Sequence, residues 1–133
     1  MSERNIATTQ AIYEAVPKGD AETVFANVDP EIHIIYYGDE SIPYAGEYKG
    51  VDGLVDFLTR VGGAVTVEQM EPKLFIADGD NLAVWGHQWF KANESGRSFD
   101  TDFAHIITLR DGKWLFFRDF ANSAVASEVF RRS

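Results

Sequence analysis

The second half of this chain constrains it most. Four segments rich in β-branched and aromatic residues, 64–76, 82–91, 99–110 and 114–120, are separated only by Asp78-Gly79-Asp80, Glu94-Ser95-Gly96 and Asp111-Gly112. Strand-forming runs joined by turn residues read as a meander of long antiparallel strands. Asp111-Gly112 has the chemistry of a two-residue type I′ turn, which needs positive φ at both central positions. That turn places Arg110 opposite Lys113, and by counting back it places His105 opposite Arg118. Pro72 has no backbone donor, so its segment is expected at a sheet edge or a bulge.

The first half reads as helices. Ile6, Tyr13 and Val16 recur at helical spacing, Ile12 widens their face, and Pro17-Lys18-Gly19 stops the run. Asp20 can cap a second short helix over 21–28, which Asp29-Pro30 breaks. His33-Ile34-Ile35-Tyr36-Tyr37 is a strand, and 38–50 is a loop punctuated by Pro43, Gly46 and Gly50. Val51, Leu54, Val55, Phe57, Leu58 and Val61 keep to i, i+3, i+4, i+7, a helix that Gly62-Gly63 ends. A short helix over 123–130 closes the chain. Helices followed by a strand meander make an α+β fold, in one domain over 1–133.

A chain of 133 residues with 45% hydrophobic and 14% aromatic content can bury a core of its own. Its net charge of −9 repels nucleic acid and anionic membranes alike. With no cysteine, disulfides, thiolate metal sites and cysteine nucleophiles are excluded. No apolar run reaches the ~20 residues of a spanning helix, and the opening MSERNIATTQ lacks a signal-peptide core, so a cytoplasmic protein is expected. In 82–90, Trp85 and Trp89 lie on one side, and Leu82, Val84 and Phe90 lie on the other. A sheet this apolar on both faces, with helices on only one, is expected to pair as a homodimer, sheet against sheet.

Alternation assigns the residues that carry chemistry. Phe99, Thr101, Phe103, His105, Ile107 and Leu109 share an apolar, core-side face, whereas Asp100, Asp102, Thr108 and Arg110 point to solvent. His105 is therefore either a satisfied core histidine or a polar handle in a ligand cavity, with Arg118 beside it. His33 alternates with Ile35 and Tyr37, and Tyr37 brings a phenol to that face. His87 lies with Trp85 and Trp89. These three histidines occupy three strands without ligand spacing, so no metal site is expected. No dinucleotide-binding, P-loop, zinc-protease or nucleophile-elbow motif occurs, and no cofactor is expected.

Several strings in order resemble one family. Tyr13-Glu14-Ala15, Gly19-Asp20 and Val24-Phe25 are similar to the opening helices of the nuclear transport factor 2-like superfamily. The string from Ile42 through Pro43, Tyr44, Ala45, Gly46, Glu47, Tyr48 and Lys49 to Gly50 resembles the loop of its SnoaL-like, ketosteroid-isomerase-related branch. Phe103-Ala104-His105, Arg110-Asp111-Gly112-Lys113 and Phe117-Arg118-Asp119-Phe120 resemble its last hairpin. The resemblance covers nearly the whole chain. It implies a cone-shaped barrel: a curved antiparallel sheet wrapped around three N-terminal helices, with a pocket at the wide end.

Carried over residue by residue, the resemblance puts the isomerases' general base at Ile35. Their oxyanion tyrosine falls at Ile12, or at Tyr13 after a one-residue shift, and their second oxyanion donor falls at His105. The acidic position of cyclase-like relatives falls at Asn122, with Asp119 as a substitute, and the Arg-x-Asp pair of epoxide hydrolases is absent. The resulting expectation is an isomerase, cyclase or hydratase/dehydratase-type enzyme acting on an apolar carbonyl-bearing metabolite such as a polyketide. His105 and His33 would move protons, and Arg118, Tyr37, Trp85, Asn122 and Tyr13 would line the pocket. The alternative is a non-catalytic ligand-binding or dimerisation domain of the same fold.

Overall fold

The computed structural model describes residues 2–131. In chain order they form α1 (Ser2–Lys18), α2 (Ala21–Ala26), β1 (Val28–Tyr36), β2 (Gly46–Lys49), α3 (Gly50–Ala64), β3 (Val65–Asp78), β4 (Asn81–Ala92), β5 (Ser98–Arg110), β6 (Lys113–Ala121) and α4 (Ser123–Arg131). The six strands make one curved, unclosed sheet in the order β2-β1-β6-β5-β4-β3. This α+β architecture is the one expected, with one correction to the sheet: β1 pairs with β6 in parallel, and every other neighbour is antiparallel. The long stretch of chain between these two strands removes any need for a hairpin there.

Local chemistry explains where the elements start and stop. The Asp20 carboxylate accepts from the backbone N–H and the hydroxyl of Thr23, capping α2. Helix α3 runs through Gly62-Gly63 rather than ending there. The Asn93 amide donates to the carbonyls of both glycines, and the Asn93 backbone N–H donates to that of Ala64, so the last turn is satisfied from outside. Residues 46–49 are a strand rather than loop, because they fold back antiparallel on β1. Strand β1 starts at Val28, earlier than expected. Pro30 is tolerated because the pairing with β6 is irregular between Val28 and His33.

Two irregularities set the sheet's inner surface. Pro72 lies on the edge strand β3 next to a register shift, as its missing donor requires, and it pairs with Gly86 of β4. A Cβ on Gly86 would stand 2.3 Å from the Glu71 carbonyl and 2.8 Å from the Phe103 ring, so only glycine fits where β3 bends in. In the last hairpin, Asp111 and Gly112 both have positive φ and Arg110 does face Lys113. Between Thr108 and Leu109, however, a bulge skips Leu115. Every side chain of β6 beyond it moves by one place, so Asp119, not Arg118, stands opposite His105.

The concave face and the helices enclose the core, in which Ile32, Leu82, Val84, Phe103, Ile107 and Leu109 are fully buried. The convex face carries exposed Leu74, Ile76, Trp85 and Phe120. Among the described residues no helix is long and apolar enough to cross a membrane.

Candidate active site

The helices do not fill the cone. A cavity of about 150 Å³ remains, lined by α1, α2, α3 and the concave faces of β1, β3, β4, β5 and β6. Most of its wall is apolar, with Ile12, Val24, Phe57, Leu58, Met70 and Phe90 among the contributors. The polar side chains are three tyrosines (Tyr13, Tyr36 and Tyr44), Gln88, His105 and Asp119, and no lysine or arginine lines the wall.

Three of these groups meet from three elements. Tyr13 on α1 places its hydroxyl 2.6 Å from His105 Nδ1 on β5. His105 Nε2 lies 3.3 Å from Asp119 Oδ1 on β6. The two atoms are out of line for a hydrogen bond, and both are buried with no partner. The imidazole is held in place by the Phe103 and Phe117 rings, at centroid distances of 4.4 and 4.7 Å. Trp114 packs edge-on against Tyr13 and donates from Nε1 to Thr9 Oγ1, which anchors α1 to the sheet.

Electrostatics decide the proton positions. Burial pushes the Tyr13 hydroxyl well above its ordinary pKa, and the Asp119 charge adds to this. Burial raises Tyr36 and Tyr44 too, with Asp119 again contributing. All three phenols therefore stay protonated at neutral pH. In the tautomer in which Tyr13 donates to Nδ1, a neutral His105 ring carries its proton on Nε2, the atom that faces Asp119. In that tautomer the cavity presents an N–H donor and a carboxylate acceptor side by side, neither of them partnered. Such orphaned polar atoms in a water-poor wall cost about 1–3 kcal/mol each. They occur where a ligand completes the pairing.

Of the residues that the sequence points to, the structure brings Tyr13 and His105 together, and Ile12 also lines the cavity. The others lie elsewhere. Arg118 is on the convex face, its guanidinium 3.7 Å from the Phe116 ring centroid and donating to the Ile106 carbonyl and Thr108 Oγ1. The one-residue bulge turned it out. His33, also convex, stacks on Phe116 and pairs with Glu47. Tyr37 is exposed and stacks on Phe120. Trp85 is exposed on the convex face with Lys73 over its ring, and Asn122 is an exposed residue between β6 and α4. Ile35 pairs with Glu47 and Arg118 on that same face, so the inward positions of β1 are Ile34 and Tyr36.

Sequence reasoning missed Tyr36, Tyr44 and Gln88, and ranked Asp119 below Asn122. Alternation with Ile34 was a usable signal for Tyr36, and alternation with Phe117 was one for Asp119. Among the described residues no three histidine or acidic side chains are arranged to hold a metal ion.

Residues 9–117 match the family model of the SnoaL-like domain. Among solved structures, a nuclear transport factor 2-like protein from Burkholderia xenovorans superposes with a TM-score of 0.87 at 22% identity, covering 96% of each chain. TerC, co-crystallised with polyporic acid, gives 0.84 at 24% identity over 96% of this chain and 98% of its own. A protein from Jannaschia described as a putative SnoaL-like polyketide cyclase gives 0.82 at 14% identity, over 98% and 94%. At these identities the likeness is one of fold. No curated protein matches the sequence. The family match spans most of the chain, so the chain belongs to the SnoaL-like domain family.

Proposed function

We propose that this SnoaL-like protein is an acid–base enzyme acting, without a cofactor, on a mostly apolar carbonyl compound such as a polyketide or related metabolite. The observation that carries this reading is the unpaired couple of His105 Nε2 and Asp119 Oδ1, buried 3.3 Å apart in an apolar cavity. A carbonyl oxygen and the hydrogen on its neighbouring carbon need one donor and one acceptor at about this spacing. Asp119 takes the α-proton, the C–H electron pair moves into the enolate, and His105 Nε2–H holds the oxygen where negative charge develops. Returning the proton to another carbon isomerises the substrate. Attack by the enolate carbon on a second carbonyl closes a ring, the new alkoxide oxygen taking back the proton held by Asp119. The description of the Jannaschia protein as a putative polyketide cyclase agrees with the latter.

The test is proton exchange. Wild-type protein in D2O should speed loss of the α-proton NMR signals of 2-tetralone, a small bicyclic ketone, above the buffer rate. Asp119→Asn should lose about 10²–10⁴-fold of that acceleration. Equal exchange by the variant would remove Asp119 from the chemistry. Binding of the ketone without exchange would favour the second reading, a ligand-binding domain, to which the apolar, outward Ile35 at the isomerases' base position lends support.

The same reading includes a homodimer through the convex face. Leu74, Ile76 and Trp85 are 48%, 57% and 44% exposed there. Leu74 pairs with Trp85 and Ile76 with Ala83 on neighbouring strands, giving a continuous apolar patch. Sedimentation should show a dimer that Trp85→Glu converts to monomer.

A further inference from the structure

The cavity has a second polar end that the proposed proton transfer does not use. Gln88 of β4 is 7% exposed, lines the cavity, and makes no hydrogen bond with another described residue. Its cross-strand neighbour Thr101 on β5 lies behind the cavity wall, 4% exposed, with its hydroxyl buried without a partner. Both side chains belong to the concave face, since the buried positions of β4 and β5 alternate through them. The Gln88 amide, unlike that hydroxyl, is open to the cavity and so is available to a ligand. The surrounding wall, Val67, Met70 and Phe90, offers it nothing polar.

We infer that Gln88 determines specificity by hydrogen-bonding the far end of the substrate. This inference rests on the carbonyl of that substrate sitting between His105 and Asp119. The length between the two ends follows from strand geometry. Thr101 is four residues from His105 on β5, roughly 13 Å at the rise of an extended strand. Two hydrogen bonds of about 2.8 Å each leave roughly 7–8 Å for the ligand. Two fused six-membered rings with a substituent at each end fill that length.

The far end also has a defined polarity. The glutamine amide offers both a donor and an acceptor, which suits a hydroxyl or a neutral amide. No cation lines the cavity, and Asp119 already stands in it, so a carboxylate or phosphate would be repelled and unpaired. The substrate class is thus a neutral fused bicyclic ketone carrying a hydrogen-bonding group opposite its carbonyl.

Matched probes test this. Wild-type protein should bind 6-hydroxy-2-tetralone roughly tenfold more tightly than 2-tetralone, the gain expected of one satisfied neutral pair. In Gln88→Leu the two affinities should converge. Thermal unfolding confirms that the variant folds, and leucine among apolar neighbours should not lower the midpoint. Equal affinity of wild type for both probes, or an undiminished preference in Gln88→Leu, overturns the inference. Exchange of the α-protons, followed in the same samples, separates the two ideas. Exchange without hydroxyl preference removes Gln88 from recognition and keeps the catalytic reading. Preference without exchange keeps Gln88 and removes the chemistry, and failure of both probes to bind overturns both.

Discussion

His87 and His105 occupy neighbouring strands of one sheet and project from opposite faces of it. On the convex face, His87 has both ring nitrogens engaged, Nδ1 2.6 Å from Asp102 and Nε2 2.6 Å from Asp100. Its ring meets Trp89 edge-on. On the concave face, His105 has one nitrogen engaged by Tyr13, while the other faces a carboxylate that it does not bond. Each histidine therefore has carboxylate company, and only one has capacity left over. Proximity of histidine to aspartate does not make a site. An unsatisfied pair inside a cavity does, because a ligand can complete it.

The largest effect expected from this contrast is on turnover. His105→Phe should cut the rate of ketone proton exchange by about 10²–10³-fold, the usual loss when one donor to a developing oxyanion is removed. Phenylalanine can take the place of the ring between Phe103 and Phe117, so the thermal midpoint should move little by comparison. His87→Phe, on the other side of the same sheet, should leave the exchange rate within about twofold, since surface positions away from a site rarely matter. Arg118→Ala belongs with His87 in this test. A large loss in either convex-face variant, with His105→Phe active, would reverse the assignment of the two faces.

That contrast also shows how far the sequence could be read. The alternation in 99–110 puts Phe103, His105 and Ile107 inside and Asp100 and Asp102 outside, and the structure agrees. It does so because period-two patterning reports directly on burial. In 82–91 the alternation groups His87 with Trp85 and Trp89, but Trp85, expected in the pocket, is on the convex face. The Asp111-Gly112 turn gave its own register, but counting on from it failed. A bulge at Leu115 costs one residue and has no turn-like signature, so Arg118 and Asp119 exchanged faces. Tyr44 is hidden from the sequence for a different reason. Its role depends on 38–45 folding over the cone, and no local preference encodes where such a segment lands. Asp100 and Asp102 were taken for a plain acidic surface. Their pairing with His87 needs the cross-strand register of β4 and β5, which pattern alone does not fix.

The smallest effect concerns His87 itself, and its sign is set by the two aspartates. Hydrogen bonds from Asp102 and Asp100 raise its pKa above the ordinary histidine value, and their charges act in the same direction. Glu71, its cross-strand partner on β3, pairs with Lys73. A histidine whose pKa is higher in the folded state gains stability that is fully present below the unfolded pKa of about 6.5. That gain disappears as pH rises through the raised folded value, where the ring is neutral in both states. The stability difference between wild type and His87→Gln should therefore be greatest near pH 6 and shrink towards pH 9. Urea unfolding of both proteins at several pH values measures it, and taking the difference cancels the titration of groups the two proteins share. A difference that grows with pH would mean the convex histidine is held neutral, and the assignment of Asp100 and Asp102 as its ionic partners would fall.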